Sequence, residues 1–344
     1  MRRWWVICII PFGLILILSR AASSQSPPQS NRDFLITVWT TEEGLPQNSV
    51  NDICQTQDGY LWFTTMDGLV RYDGVRFTVF NKGNAPGLAG NRLLRLKEDA
   101  DGALWISSEN GGVTRYAQGG VKTLTTQDGL PHNRISRIQQ DGRGGLQFQT
   151  RDGYAYWRGG KLLPDPEKLD PGKTRKFFAS SGAVWTLDET GLYRFKNGTT
   201  ISYPPLIPPA SIRFIPFYED RQQNLWLGAA GTGAFKIKDG MITRYTEKDG
   251  LPPFPLAEFL EDRDGVIWVS TIGGGVACLQ AGRFSLYTTQ NGLSDNSTGP
   301  LLEDREGNLW VGTSAGGVNR LSRKIITTYG KENGLHDLSV YPIL

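Results

Sequence analysis

One arrangement of apolar and polar positions returns along most of this chain. An aliphatic residue is followed by Trp, then small polar residues, then glycine: Leu61-Trp62, Leu104-Trp105, Val184-Trp185, Leu225-Trp226, Ile267-Trp268 and Leu309-Trp310. Leu146-Gln147 fills the same place in a degenerate copy, and successive intervals, counting Gln147, are 43, 42, 38, 41, 42 and 42 residues. Acid-and-glycine turns precede several anchors (Asp58-Gly59, Asp101-Gly102, Asp264-Gly265, Glu306-Gly307). Glycine-led strands follow them, at 68–72, 112–116, 191–195 and 317–321. An aromatic-rich run then leads into Gly-Leu, and Asn stands three residues later at Asn48, Asn91, Asn133 and Asn296.

Short alternating runs bounded by Asp-Gly and Gly turns signal strands and hairpins. In the first copy they predict strands over 50–55, 60–65, 69–73 and 76–81. Four strands repeated every 40–45 residues make a propeller blade, whose two apolar faces must be buried against neighbours. A Trp at a fixed slot is then a wedge between blades. The expected fold is all-β: a seven-bladed β-propeller of four-stranded antiparallel blades over 34–335, anchored by Trp62, Trp105, Trp185, Trp226, Trp268 and Trp310. Residues 34–40 and 325–329 both read as a blade's fourth strand, giving eight such strands for seven anchors. One closes the ring; the other begins or ends something else, such as an incomplete neighbouring propeller. Residues 336–344 read as the start of a further truncated repeat, whose anchor would fall near position 352, so the chain is expected to be a fragment or the front of a longer parent.

The N-terminus breaks the pattern. Arg2 and Arg3 precede an apolar run, Trp4 to Leu18, and then small residues. This matches a secretory signal peptide over 1–22, with an uncleaved membrane anchor as the alternative, and 23–33 as a polar linker. Arg2, Arg3 and Arg20 account for the whole formal charge of +3, so the mature chain is close to neutral and has no global field for nucleic acid. A local basic patch stays open. With Cys8 in the signal, Cys54 and Cys278 remain, on non-adjacent copies and without metal-ligand spacing, and are expected to be free thiols.

The phrase Gly-Leu-Pro-Gln-Asn-Ser-Val, the run Asp-Gly-Tyr-Leu-Trp-Phe-Thr-Thr, and Gly-Leu-Val-Arg-Tyr-Asp-Gly closely resemble the two-component regulator propeller. The resemblance covers 34–344 and is weakest in copies three and four, where Gln147 replaces Trp and Pro-rich stretches replace the Gly-Leu motif. It implies the periplasmic sensor region of a bacterial signal-transduction receptor of two-component, phosphorelay type. In that family a transmembrane helix and an output such as a histidine kinase or diguanylate cyclase follow. It also implies an oligosaccharide or other small-molecule ligand, a homodimer in the full receptor, export to the periplasm or cell exterior, and tethering to the inner membrane.

Catalytic chemistry finds little support. His132 and His336 follow Gly-Leu in turns, with no nucleophile and orienting acid to pair with either. Glu261-Asp262 and Glu303-Asp304 share one register in successive blades and read as turn structure rather than a glycosidase pair. No catalytic residue, cofactor or metal is expected. Ligand binding is assigned to the loops joining second to third strands and those joining blades, because a rigid frame presents them around one end of the channel. The candidates are Asn48, Met66, Asp67, Asn91, Arg92, Glu109, Asn110, Asn133, Arg134, Arg151 and Asp152, with Asp188 and Glu189 in a further copy. The competing reading gives the recurrent Asn to its own turn. A secreted enzyme or lectin acting on polysaccharide, and a protein-binding scaffold, are the alternative functions.

Overall fold

The computed structural model describes residues 34–117, 120–206, 216–229 and 231–324. The signal segment, the linker, the strand expected at 325–329 and the repeat expected at 336–344 lie outside the described residues. Blade 1 is β2 (Val50–Gln55), β3 (Leu61–Thr65), β4 (Gly68–Tyr72) and β5 (Phe77–Phe80). Blade 2 is β6 (Leu93–Glu98) to β9 (Gly120–Leu124), and blade 3 is β10 (Ile135–Gln140), β11 (Leu146–Thr150), β12 (Tyr154–Arg158) and β13 (Lys161–Pro164). Blade 4 is β14 (Arg175–Phe178) to β17 (Thr199–Tyr203), and blade 5 is β18 (Phe217–Glu219) to β21 (Met241–Tyr245). Blade 6 is β22 (Leu256–Glu261) to β25 (Arg283–Tyr287). All six are antiparallel meanders.

The seventh blade answers the question of closure. It is built from β26 (Thr298–Glu303), β27 (Leu309–Thr313) and β28 (Val318–Arg323), and its outermost strand is β1 (Phe34–Trp39) from the other end of the described chain. β1 pairs with β28 from Phe34 opposite Arg323 to Trp39 opposite Val318. The described residues thus form a seven-bladed ring with four strands in every blade. Trp39 stacks on Trp310 at 5.2 Å between ring centroids, so the closing strand also reaches the core.

Each anchor faces the following blade. Trp62 packs with Leu93, Leu96 and Ile106 of blade 2, Trp105 with Ile135 and Phe148 of blade 3, and Trp310 with Val50 and Phe63 of blade 1. Trp185, Trp226 and Trp268 do the same for blades 5, 6 and 7. A buried indole N–H needs an acceptor. The residue six places before the anchor supplies it: Trp105 donates to Asp99 at 2.7 Å, Trp226 to Asp220 at 2.8 Å, Trp268 to Asp262 at 2.9 Å and Trp310 to Asp304 at 2.6 Å. Trp62 uses the Thr56 hydroxyl at 3.1 Å, and Trp185, with Ala179 in that slot, reaches Glu219 of blade 5 at 3.2 Å. A basic side chain covers the other side of several indoles, as Arg320 does for Trp310 and Lys236 for Trp226.

The neighbouring acid, one place earlier, ties blades together. Glu303 accepts the Arg263 backbone N–H at 2.7 Å and Glu98 accepts that of Gln57 at 3.0 Å. Arg305 of blade 7 donates to the carbonyls of Thr56 and Gln57 in blade 1, each at 3.0 Å. The carboxylate pairs Glu261-Asp262 and Glu303-Asp304 are therefore occupied by indoles and turn amides. Cys54 and Cys278 sit in blades 1 and 6; burial pushes the Cys54 thiol up to about 11, which leaves it unreactive at neutral pH.

Candidate functional site

The inter-blade loops at one end of the ring are built on repeated turns. Thr40, Thr125, Thr246 and Thr288 begin single turns of 3-10 helix that end on Gly44, Gly129, Gly250 and Gly292, each at positive φ. A recurrent Asn pins three of these turns and the loop after β5. The side-chain oxygens of Asn48, Asn91, Asn133 and Asn296 accept the N–H groups of Thr41, Lys82, Thr126 and Thr289 at 2.8, 2.9, 2.8 and 2.8 Å. The acceptor of each candidate Asn is therefore occupied by local structure, and the Asn91 amide also reaches Asp67 at 3.4 Å.

The charged candidates make a polar rim over blades 1 to 3. Arg92 pairs with Glu109, which holds that carboxyl below its usual range, and the charge of Arg134 adds to the effect. Arg151 and Asp152 form an exposed pair at 3.7 Å. Asp67 is turned by the Thr65 hydroxyl, which accepts its backbone N–H at 3.1 Å. Asn110 is exposed, and Met66 half-buried beside Asp67. The structure brings Asp67 to Asn91 and Arg92 to Glu109, and among the described residues the Arg151 and Asp152 side chains pair with each other. Asp188 holds Thr190 and Gly191 in its own turn.

Beneath this rim lies a set of residues that the motif reading passed over. Ten places before each anchor, on the innermost strand or, for Pro216, just before it, stand Asp52, Arg95, Arg137, Arg175, Pro216, Glu258 and Pro300. Five of these strands carry a register shift at the slot, between Val50 and Asp52, Leu93 and Arg95, Ile135 and Arg137, Leu256 and Glu258, and Thr298 and Leu301. A bulge re-aims the side chain next to it. The direction here is the axis: Glu258 of blade 6 feels Asp52, Arg95 and Arg137 of blades 1, 2 and 3. Side chains from blades that are not neighbours can meet only across the centre. Arg92 and Arg134 on the rim lie three residues before Arg95 and Arg137, about 10 Å along a strand at roughly 3.3 Å per residue.

Arg175 is buried, Asp52, Arg137 and Glu258 are half-buried, and Arg95 is exposed. Blade-to-blade bonds position them. Asp52 accepts the Leu96 N–H at 3.0 Å and Glu258 the Leu301 N–H at 3.1 Å, while Arg95 donates to the carbonyls of Ser136 at 3.0 Å and Asn51 at 3.2 Å. No ion pair joins Asp52 or Glu258 to Arg95 or Arg137, and among the described residues no protein acceptor hydrogen-bonds the Arg137 guanidinium. Desolvation is the first cause of every shift here. It pushes Glu258 up to about 7, with repulsion from Asp52 adding to it, raises Asp52, lowers Arg137, and brings Arg175 to about 10. A cleft of about 320 Å³ also opens between blades 4 and 5, lined by Trp185, Arg194, Tyr203 and Gln223. Its Arg194 lies over Trp185 as Arg320 lies over Trp310, so it extends a packing device. Among the described residues no cluster of His, Cys, Asp and Glu could hold a metal, and no helix is long and apolar enough to cross a membrane.

Comparison with known proteins bears on these features. Residues 44–67 and 292–315 match the family described as the two component regulator propeller, each running from the Gly-Leu turn through the anchor strand. Histidine kinase P4 of Formosa agariphila is 35% identical over 80 residues, 23% of this chain and 5% of that protein. The extracellular domain of what is described as a hybrid two component system of B. thetaiotaomicron, BT3049, superposes with a TM-score of 0.69 at 22% identity. That match covers 84% of this chain and 42% of that domain. Virginiamycin B lyase of Staphylococcus aureus superposes with a TM-score of 0.64 at 15% identity, over 84% of this chain and 99% of that one. The chain thus spans less than half of the sensor domain it matches, and likenesses this distant show the fold alone.

Proposed function

We propose that this chain, which carries two-component regulator propeller repeats, is the extracytoplasmic ligand-sensing propeller of a bacterial signal-transduction receptor. The observation that carries the reading is the polar rim of blades 1 to 3 set over a charged axial channel, in a ring whose likenesses include extracellular domains of two-component systems. Concave sites with a few convergent polar groups on a rigid frame are where small ligands bind. The ligand is a small polar molecule of the oligosaccharide class. The receptor is a membrane-tethered homodimer whose output lies in other domains, and binding acts by shifting the population of its states.

The test is a thermal-shift screen of the folded chain against a panel of oligosaccharides and their monomers. A ligand that binds only the native state raises the melting midpoint, by an amount that grows with its concentration. A hit that Arg92→Ala or Glu109→Ala weakens supports the reading. Turnover of a panel member, or binding confined to an outer edge strand, would overturn it in favour of an enzyme or a scaffold.

A further inference from the structure

Resting on that reading, the geometry points to the axial channel as a binding site for a small hydroxylated carboxylate, its anionic group held by Arg95, Arg137 and Arg175 on three consecutive blades. The three guanidinium groups occupy one slot on β6, β10 and β14 and so form a single basic arc. Guanidinium forks match the two oxygens of a carboxylate, and such charge-assisted bonds are the strong ones. Among the described residues Arg137 enters this arc with no hydrogen-bonded partner and no ion pair, so its cation sits in a costly environment that an anion would relieve. Arg95 is braced by two carbonyls from neighbouring blades, which orients it without neutralising it.

The other side of the channel supplies the rest of the ligand's description. Asp52 and Glu258 face the arc from blades 1 and 6, and each is fixed by one backbone N–H from the next blade. Carboxylates in that place repel a bare anion and accept hydrogen bonds from hydroxyl groups. A molecule with a carboxylate at one end and hydroxyls at the other satisfies both walls; an inorganic oxyanion satisfies only one. The charged groups acting on Glu258 are Asp52 from β2, Arg95 from β6 and Arg137 from β10, while Arg175 from β14 and Tyr154 of β12 lie beside Arg137. In blades 5 and 7 the slot holds Pro216, just before β18, and Pro300 on β26. Because Glu258 titrates near 7, lowering the pH removes a negative charge from the channel, and an anion binds more tightly.

The probes are D-glucuronate, D-glucose, which lacks the carboxylate, and sodium sulfate, measured by calorimetry on the whole folded chain at pH 6 and pH 8. Glucuronate binds saturably, glucose at least tenfold more weakly, and glucuronate more tightly at pH 6. Arg137→Gln, which breaks no protein hydrogen bond, lowers glucuronate affinity about tenfold or more, the loss of one charged hydrogen bond. Glu258→Gln, a neutral isostere that can still accept the Leu301 N–H, removes most of the pH dependence. Equal binding of glucuronate and glucose, or an unchanged Arg137→Gln, overturns the channel assignment while leaving a sensing propeller standing. Sulfate binding as tightly as glucuronate means an inorganic anion only, and overturns the ligand class. No glucuronate binding at either pH overturns the assignment outright.

Discussion

Replacing Asp304 by Ala isolates the bond that holds an anchor in place. Asp304 is 4% exposed and accepts the Trp310 indole N–H at 2.6 Å, the Asn308 backbone N–H at 2.8 Å and the Asn308 side-chain amide at 2.9 Å. Trp310 is 1% exposed, so water cannot replace the lost acceptor without opening the interface between blades 7 and 1. An orphaned buried donor costs about 1–3 kcal/mol, and the partly buried Asn308 amides add roughly 1 kcal/mol. The total is about 2–4 kcal/mol from a domain worth roughly 5–15 kcal/mol, because this interface also closes the ring. At roughly 2–4 °C per kcal/mol for a protein of this size, the melting midpoint drops by about 4–16 °C.

Blade 1 supplies the control. Thr56 holds the equivalent indole with a hydroxyl at 3.1 Å, so Asp304→Thr should recover much of the loss although it restores no charge. Calorimetric melting of wild type, Asp304→Ala and Asp304→Thr, read together with Trp fluorescence, makes the comparison. A loss below about 1 kcal/mol for Asp304→Ala, or a Thr variant no better than Ala, would refute the view that an indole–acceptor bond secures each wedge.

Further consequences can be measured. Gly317 stands at φ 78° with Trp39 O only 2.0 Å from where a Cβ would be, so Gly317→Ala should release β1 from β28 and expose 34–39 to proteolysis and hydrogen exchange while other blades stay protected. Arg305→Ala removes two bonds from blade 7 to blade 1 but at an exposed site, so it should cost only about 1 kcal/mol and speed exchange at the β26–β2 junction. Glu258 binds its proton more tightly in the native state than when unfolded, so this residue makes wild type lose stability as pH rises from about 4.5 to 7. Glu258→Gln should lack that part of the slope and gain on wild type between pH 5 and pH 8 in urea unfolding; a constant difference would refute it. Gln147→Trp crowds a fully buried slot where the Gln amide holds the Tyr156 hydroxyl at 2.8 Å, and should destabilise blade 3 by about 1–3 kcal/mol despite restoring the consensus residue.

What could be read in the sequence, and what could not, follows from the repeat itself. The anchors, the Asp-Gly turns and the four-strand unit were legible because one packing problem is solved in every blade with nearly the same residues. Strand boundaries in blade 1 came within a residue, as Leu61–Thr65 for an expected 60–65 shows. Closure was not legible: residues 34–40 looked like a fourth strand lacking a blade, and only pairing with β28 gives it one. The recurrent Asn was legible as a motif but ambiguous in role, since a turn clamp and a ligand donor demand the same residue type. The channel was missed for a deeper reason. Reading a repeat means looking for what recurs, whereas seven copies of one charge around a narrow axis would repel one another. The slot must therefore vary, and it does: acid, three arginines, proline, acid, proline. In a ring whose structural slots are uniform, the column facing the axis is free to differ from blade to blade, and so it is the column in which a propeller can encode the charge pattern of what it binds.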